Sequence, residues 1–161
     1  MNAWQSKQIE MLYLEMFNKL MAYACSSLDS AALAEEAVQE TFRIACQKPD
    51  QLCGSANPQG WLVRTLKYTI KNIQNSRAAA RGLIEKYLIT QVKEFSFLED
   101  RVDLRVVYEN VADTEEFKLL FELAIEGRSH EEMAKSRNIT ISACRKRVQR
   151  AKETLQRRIK L

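Results

Sequence analysis

Apolar residues recur every three or four positions along much of this chain, which is the period of an α-helix that buries one face. The pattern predicts a first helix over about residues 6–28 and a second that begins after Ser30 and ends near Gln47. Proline at position 49 ends the second helix, because proline has no N–H and disfavours helical backbone in the residue before it. Residues 49–58 are therefore predicted to be a loop, and Pro58 to begin a third helix that continues through Ile73.

Each predicted helix has an apolar face, as expected of an amphipathic helix that packs on a core. In the first helix this face comprises Ile9, Leu12, Tyr13, Met16, Phe17, Leu20, Tyr23 and Ala24. In the second it comprises Leu33, Ala37, Val38, Phe42 and Ala45. In the third it comprises Trp61, Leu62, Thr65, Leu66, Thr69, Ile70 and Ile73.

The C-terminal part of the chain has the signals of three more helices. Thr114 begins the first of them, and Gly127 closes it. Ser129 and Glu132 have the spacing of a capping box, and Thr140 caps a final helix. The predicted buried side of that helix comprises Ile141, Cys144, Val148, Ala151, Leu155 and Ile159. A scaffold helix, a short turn and a long basic helix in this order are typical of a helix-turn-helix.

The intervening residues have a weaker pattern, although residues 83–92 are compatible with a helix. We interpret this region as a linker, and the alternative is a structured helix packed on one domain. The chain of 161 residues contains only four glycines and two prolines. So few helix breakers favour an all-α fold.

Charge is concentrated in two separate stretches. No acidic residue occurs from position 51 to position 84, whereas this stretch contains the basic residues Arg64, Lys67, Lys71, Arg77 and Arg81. From position 138 to the end, Glu153 is the only acid among eight lysines and arginines. Two basic surfaces of this kind indicate a polyanionic partner that is contacted at two places.

The remaining composition argues against several other classes of protein. The four cysteines form no C-x-x-C pair and there is one histidine, His130, so no metal site is expected. Reduced cysteines favour a cytoplasmic location. The polar N-terminus is unlike a signal peptide, and no apolar run is long enough for a membrane span. No catalytic group stands out, so we expect neither an enzyme nor a cofactor or small-molecule substrate.

The final helix is the first candidate DNA surface. Its predicted outer face carries Ser142, Arg145, Lys146 and Gln149, with Arg147 and Arg150 at the flanks. Arginine can pair with guanine and glutamine with adenine, and both reach phosphates. The alternative is a basic, solvated helix of a bundle.

The helix that begins at Pro58 is the second candidate. Arg64, Lys67, Lys71 and Asn75 share one face, and Asn72 is adjacent. Trp61 and Tyr68 could stack on unpaired bases, and the polar segment 47–57 could hold a flipped base. Core packing is the alternative for Trp61.

Three sequence stretches resemble one family. Residues 34–43, AEEAVQETFR, resemble the A-E-D-L-V-Q-E-T-F-L/R stretch of region 2 in the extracytoplasmic-function group of the sigma-70 family of RNA polymerase sigma factors. Residues 58–64, PQGWLVR, resemble its P-R-A-W-L-Y-R, and residues 139–152, ITISACRKRVQRAK, are similar to the region 4 ending I-S-x-G-T-V-K-S-R-L-H-R-A-R. The matches occur in the family's order and cover nearly the whole chain.

The resemblance implies two small helical domains, a region 2-like domain at residues 1–80 and a region 4-like helix-turn-helix at residues 113–161, joined by a linker at 81–112. It implies core polymerase binding by Glu35, Glu36, Gln39, Glu40 and Arg43. It implies contact with the −10 promoter element by Trp61, Arg64, Lys67, Tyr68, Lys71, Asn72 and Asn75. It implies contact with the −35 duplex by Thr140, Ser142, Ala143, Arg145, Lys146, Gln149 and Arg150. An anti-sigma factor is the further partner that the family implies.

The chain departs from the family pattern at Leu33, Lys67, Tyr68, Asn72 and the pair Ala143-Cys144. These positions bear on promoter choice. Two alternatives to the sigma interpretation stay open. One is a helix-turn-helix repressor or activator, and the other is a sigma-like regulator that binds proteins without promoter activity.

Overall fold

The computed structural model describes residues 1–96 and 114–160, and every regular element in these two ranges is an α-helix. The predicted all-α class is confirmed. The chain divides into two compact units, Met1–Asn75 and Ser76–Leu161. No helix in the described ranges is long and apolar enough to cross a membrane.

The first unit contains α1 (Ala3–Ser27), α2 (Ala31–Gln47), α3 (Pro49–Cys53) and the beginning of α4 (Pro58–Ser96). Asn2 and Gln5 form a capping box at the start of α1, which satisfies two backbone N–H groups that the helix leaves open. Ser30 caps α2 by accepting a hydrogen bond from the backbone N–H of Leu33. Both helices end within one residue of the positions predicted from the sequence.

The core of the first unit is formed by the predicted apolar faces. Its largest fully buried side chains are Leu20, Leu33, Val38, Thr41, Leu52, Leu62 and Leu66. The predicted face of α1 is wider than the buried one, because Tyr13 and Tyr23 lie at its edge and are 41% and 40% exposed. The Tyr13 ring nevertheless packs against Phe42, with ring centroids 4.8 Å apart.

The predicted loop at residues 49–58 contains the short helix α3, so this prediction was wrong in part. Pro49 occupies the first turn of α3, where its missing N–H costs nothing. Leu52 is completely buried in the core, and that burial favours a compact turn over an open loop. The Gln5 side-chain amide donates to Oδ1 of Asp50 at 2.6 Å and ties α3 to α1.

The second unit contains the remainder of α4, then α5 (Glu115–Ala124), α6 (His130–Arg137) and α7 (Ile141–Lys160). The predicted capping box at the start of α6 is confirmed, since Glu132 N–H donates to Ser129 Oγ and Ser129 N–H donates to Glu132 Oε2. The predicted glycine closure after α5 is also present. Gly127 has a φ of 67°, a left-handed conformation that glycine adopts without strain.

The interpretation of residues 81–112 as a linker does not fit the structure of residues 81–96. These residues continue α4, and Ala80, Ile84 and Tyr87 are buried in the core of the second unit. Their spacing of four and three residues places them on one helix face, so burial holds this part of the helix. The boundary between the units lies after Asn75 and not after residue 80. Residues 97–112 lie outside the described ranges.

An ionic network joins α5 to α6. Arg137 donates to Glu122 Oε1 at 2.8 Å and Oε2 at 3.0 Å, and Arg128 donates to the same Oε2 at 2.8 Å. Arg137 also donates to Glu115 at 2.9 Å. Hydrogen bonding from Arg137 lowers the pKa of Glu122, because these bonds favour the charged carboxylate.

Replacing Leu62 with alanine should destabilise the first unit by about 2–5 kcal/mol, because it leaves a cavity in a closed core. The matched control is Leu14→Ala, since Leu14 is 75% exposed and its truncation should change the free energy of unfolding by less than about 0.5 kcal/mol. Urea unfolding followed by tryptophan fluorescence measures both variants. Equal effects of the two substitutions would contradict the assignment of the core.

Replacing Glu122 with glutamine should lower the free energy of unfolding of the second unit by about 1–3 kcal/mol at neutral pH, because two arginines lose their carboxylate. The pKa of Glu122 is depressed below its ordinary value of 4.5 by folding, so its contribution is present above that pH and is lost as the pH falls further. The difference between wild type and Glu122→Gln should therefore shrink below about pH 4.5.

Urea unfolding at pH 7 and pH 3, followed by circular dichroism, checks this dependence. The control is Glu126→Gln, which removes the same charge from an exposed position. A Glu122→Gln effect of the same size at both pH values would show that the carboxylate is not involved.

Candidate nucleic-acid interfaces

Five residues predicted to bind polymerase lie on one side of α2, where Glu35, Gln39 and Arg43 are exposed and Glu36 and Glu40 are half-buried. Gln39 donates to Glu35 at 3.1 Å, and Arg43 donates two hydrogen bonds to Glu40 at 2.7 and 2.5 Å. Hydrogen bonding to Glu40 raises the pKa of Arg43. Exposed ion pairs contribute little stability, about 0–1 kcal/mol, so a protein partner could replace these contacts at low cost.

A surface pocket of about 410 Å³ lies in the first unit. We call it the Trp61 pocket. Its lining comes from α2, α3 and α4 and from Lys48, which lies between α2 and α3. The lining residues are Ile44, Gln47, Lys48, Gln51, Trp61, Arg64, Thr65 and Tyr68. The structure therefore brings three of the seven predicted −10 residues together with the polar segment that the sequence analysis proposed as a base-holding loop. The pocket combines aromatic rings, two cations and amide groups, which suits an unpaired nucleotide.

Trp61 and Tyr68 have different environments in this pocket. Trp61 is half-buried and packs against the core of the first unit, as the core-packing alternative predicts, and the stacking interpretation stays a prediction for the exposed part of its ring. Tyr68 is 64% exposed and lies two turns further along α4. Its ring is free to stack on a ligand without any change in the core.

The other predicted −10 residues do not line the pocket. Lys67, Lys71, Asn72 and Asn75 are exposed along α4. Lys67 Nζ lies 5.6 Å from the centroid of the Tyr23 ring, a cation–π distance. These residues extend a polar and basic surface along the helix from the pocket.

Two arginines of the acid-free stretch have a structural role instead. Arg77 Nε donates to the carbonyl of Leu123 at 3.3 Å, and Arg81 donates to the carbonyl of Ala124 at 3.4 Å. Both carbonyls lie at the C-terminal end of α5, where cations are favoured by the helix dipole. The basic stretch predicted from the sequence is therefore divided, and only its first part forms the surface beside the Trp61 pocket.

In the second unit, α5, α6 and α7 follow one another in the order that the sequence predicts. On α7, Ser142, Lys146, Gln149 and Arg150 are exposed, whereas Ala143 and Arg145 are half-buried. The Gln149 amide donates to Glu153 at 3.2 Å. The Thr140 hydroxyl is exposed and caps the helix by accepting from the N–H of Ala143 at 3.1 Å.

The predicted buried side of α7 was wrong at Ile141. Cys144, Val148, Ala151 and Leu155 are buried, but Ile141 is 39% exposed. It lies one turn before Cys144, at the first position of the helix, whereas Ile139, two residues earlier, packs against the core. Helical periodicity places a side chain on a face, but it does not show how far along the helix the core extends.

Lys152 is a further basic residue of α7 that turned out to be partly internal. Its Nζ donates to Ser76 Oγ at 2.8 Å, and burial lowers its pKa because the charged form loses water contacts. Lys152 therefore does not belong to the exposed basic surface that the sequence predicts for the C-terminal residues. Among the described residues, no group of three or more His, Cys, Asp or Glu side chains is placed to hold a metal ion.

Comparison of the chain with protein-family models, with curated proteins and with solved structures finds no match to any of them. The interpretation of these surfaces therefore depends on their geometry and on the three sequence stretches that resemble sigma regions 2 and 4.

Replacing Tyr68 with alanine should change the free energy of unfolding by less than about 0.5 kcal/mol, because its ring is mostly exposed. The matched control is Tyr87→Ala, which should cost about 3 kcal/mol or more, because Tyr87 is only 6% exposed and packs on Phe117. Thermal unfolding followed by circular dichroism compares the two. A large loss of stability from Tyr68→Ala would mean that its ring supports the fold.

Proposed function

We propose that this protein is a sigma factor of the extracytoplasmic-function type, which binds core RNA polymerase, recognises promoter DNA and promotes its opening. In this proposal the protein is not an enzyme. It stabilises melted DNA by replacing base stacking with contacts to its own aromatic and polar side chains, and polymerase carries out synthesis.

The observation that carries the proposal is the composition of the Trp61 pocket. A repressor or activator that reads duplex DNA needs only the helix-turn-helix of the second unit. The pocket adds an exposed aromatic ring, Tyr68, beside Arg64 and Lys48, and its volume lies in the usual range for ligand sites. Stacking on such a ring holds an unpaired base with a free energy of about 1–3 kcal/mol. This chemistry favours capture of a single strand.

The second unit supports recognition of duplex DNA. A recognition helix contacts base edges with its N-terminal residues, and the exposed side chains of α7 include the hydroxyl of Ser142, the amide of Gln149 and the cations of Lys146 and Arg150. In the proposal they read the −35 element. Basic contacts to phosphates make such binding weaker as the salt concentration rises.

The exposed face of α2 is the proposed contact with core polymerase. The Arg43–Glu40 ion pair lies at the surface of this helix, and a surface pair of this kind can exchange partners at low cost when a protein docks. An anti-sigma factor, which the family resemblance implies, would act by occupying these surfaces.

Run-off transcription with purified core polymerase tests the proposal. On a duplex promoter, Tyr68→Ala should reduce initiation by about five- to 150-fold, the factor that corresponds to one lost stacking contact. On the same promoter with its −10 region already unpaired by mismatches, the defect should be much smaller, because the melting step is bypassed.

Lys146→Ala provides the contrast. It weakens binding to the upstream duplex, so its defect should persist on the mismatched template. The defect relative to wild type should become smaller as the salt concentration rises, because the variant has one phosphate contact fewer to lose. A protein that binds duplex DNA tightly but directs no transcript across a panel of candidate promoters would be a repressor or activator. A protein that binds polymerase without DNA would be an interaction regulator. Either result would refute the sigma proposal.

A further inference from the structure

Helix α1 has a second apolar stripe, on the side that faces away from the core of the first unit. Trp4, Met11 and Leu14 are 59%, 55% and 75% exposed. Seven and three residues separate them, so at about 100° per residue they lie along one face of the helix. The core-facing residues of α1, which include the buried Ile9 and Met16, lie on the opposite face.

This stripe is continuous along the helix. Lys7 lies between Trp4 and Met11, three and four residues from them, and the methylene groups of a lysine side chain can cover apolar surface. A single exposed apolar residue is common on a protein surface and indicates nothing by itself. Three large ones on one helix face, with a tryptophan among them, are typical of an interaction surface.

The charges on the stripe indicate what kind of partner it fits. Lys7 and Glu10 are both exposed, and they lie on the same edge of the stripe, three residues apart. One charge of each sign gives no net attraction to a polyanion or to an anionic lipid surface. A protein surface that presents the complementary pair, one acid and one base beside apolar side chains, is the better match.

The face of α1 is itself such a surface. Two copies of α1 can pack antiparallel about a two-fold axis that passes between positions 8 and 9. In this register Lys7 of each copy lies opposite Glu10 of the other, on the same edge. Trp4 lies opposite position 13, and so between Met11 and Leu14 of the second copy. One register therefore satisfies both the charges and the apolar side chains, which is the self-complementarity that a two-fold interface requires.

A parallel pair of α1 helices does not have this property. Parallel packing about a two-fold axis places every residue beside its own copy, so Lys7 would meet Lys7 and Glu10 would meet Glu10. Like charges that face each other across an interface are destabilising. The charge pattern thus selects the antiparallel arrangement.

We propose that α1 is a homodimerisation face, through which two copies of this chain associate with their α1 helices antiparallel. Stable interfaces bury about 1,200 Å² or more in total. One helix face with three apolar side chains is expected to supply less, so the dimer is weak and forms at high protein concentration. None of the residues proposed to bind polymerase or DNA lies on α1, so this inference does not rest on the proposed function.

Sedimentation equilibrium of the full chain, from about 10 μM to about 1 mM, the range of weak complexes, tests the proposal. The wild-type protein should pass from monomer to dimer over this range. Leu14→Glu should remain a monomer, because it places a charge among the apolar side chains of the interface. Ile89→Glu is the matched control, since Ile89 is 56% exposed but belongs to the second unit, and it should dimerise as the wild type does.

Charge reversal tests the antiparallel register. Lys7→Glu and Glu10→Lys should each weaken dimerisation about tenfold, because two attractive pairs become repulsive. The double variant should dimerise as the wild type does, and an equimolar mixture of the two single variants should form a heterodimer. Lys19→Glu is the matched control, because it reverses an exposed charge of α1 that lies outside the stripe.

Each result decides a part of the proposal. A chain that remains a monomer up to the highest concentration overturns it, and so does a dimer that Leu14→Glu leaves intact. A double variant that stays as weak as the single variants overturns the antiparallel pairing. Circular dichroism checks that every variant is folded, and the wild-type measurement tests the dimer without any substitution. Transcription by the monomer would be unaffected by any of these outcomes, so the proposed function is tested separately.

Discussion

Removal of the apolar side chains of α4 from water is the interaction on which both units depend. Isolated helices are marginally stable in water, so a helix of this length needs burial along its face. Leu62, Leu66 and Ile70 are buried in the core of the first unit, and Ala80, Ile84 and Tyr87 in that of the second. Each large apolar side chain buried in this way contributes about 1.5–3 kcal/mol. The polar side chains between these residues remain available for other contacts.

The same constraint sorts the basic residues into two kinds. Arg64 and Lys146 lie on faces that no core covers, so they remain exposed and can meet a polyanion. Arg77, Arg81 and Lys152 donate to protein groups of the second unit, where they complete the ends of helices or satisfy a hydroxyl. A basic side chain that is hydrogen-bonded within the protein is less available to nucleic acid. The two basic surfaces predicted from the sequence are therefore smaller in the structure, because these three side chains are not counted in them.

The candidate surfaces differ in the state of nucleic acid that they suit. The Trp61 pocket presents rings and cations in a concave site, which suits a base that has left the helical stack. The outer face of α7 presents Ser142, Lys146 and Gln149, whose polar side chains suit the edges of bases that remain paired. A protein that has both kinds of surface is suited to binding DNA that is paired in one place and open in another. This combination of properties is the physical basis of the proposed function.

The sequence by itself determined the helices whose apolar period and caps are local features. Examples are α2, which Ser30 caps, and α6, which begins with the Ser129–Glu132 capping box. Such caps can be predicted because hydrogen bonds within one turn depend on neighbouring residues only. It also named Trp61, Arg64 and Tyr68 among the seven residues of the predicted −10 surface, and these three line one pocket whereas the other four do not. Only the tertiary structure decided that Leu52 closes a turn of helix, that Ile84 and Tyr87 belong to a core, and that Arg77 caps α5. Each of these features depends on partners distant in the chain. The exposure of Ile141 was decided in the same way. Periodicity gives the direction of a side chain, whereas its burial depends on what the rest of the fold brings to meet it.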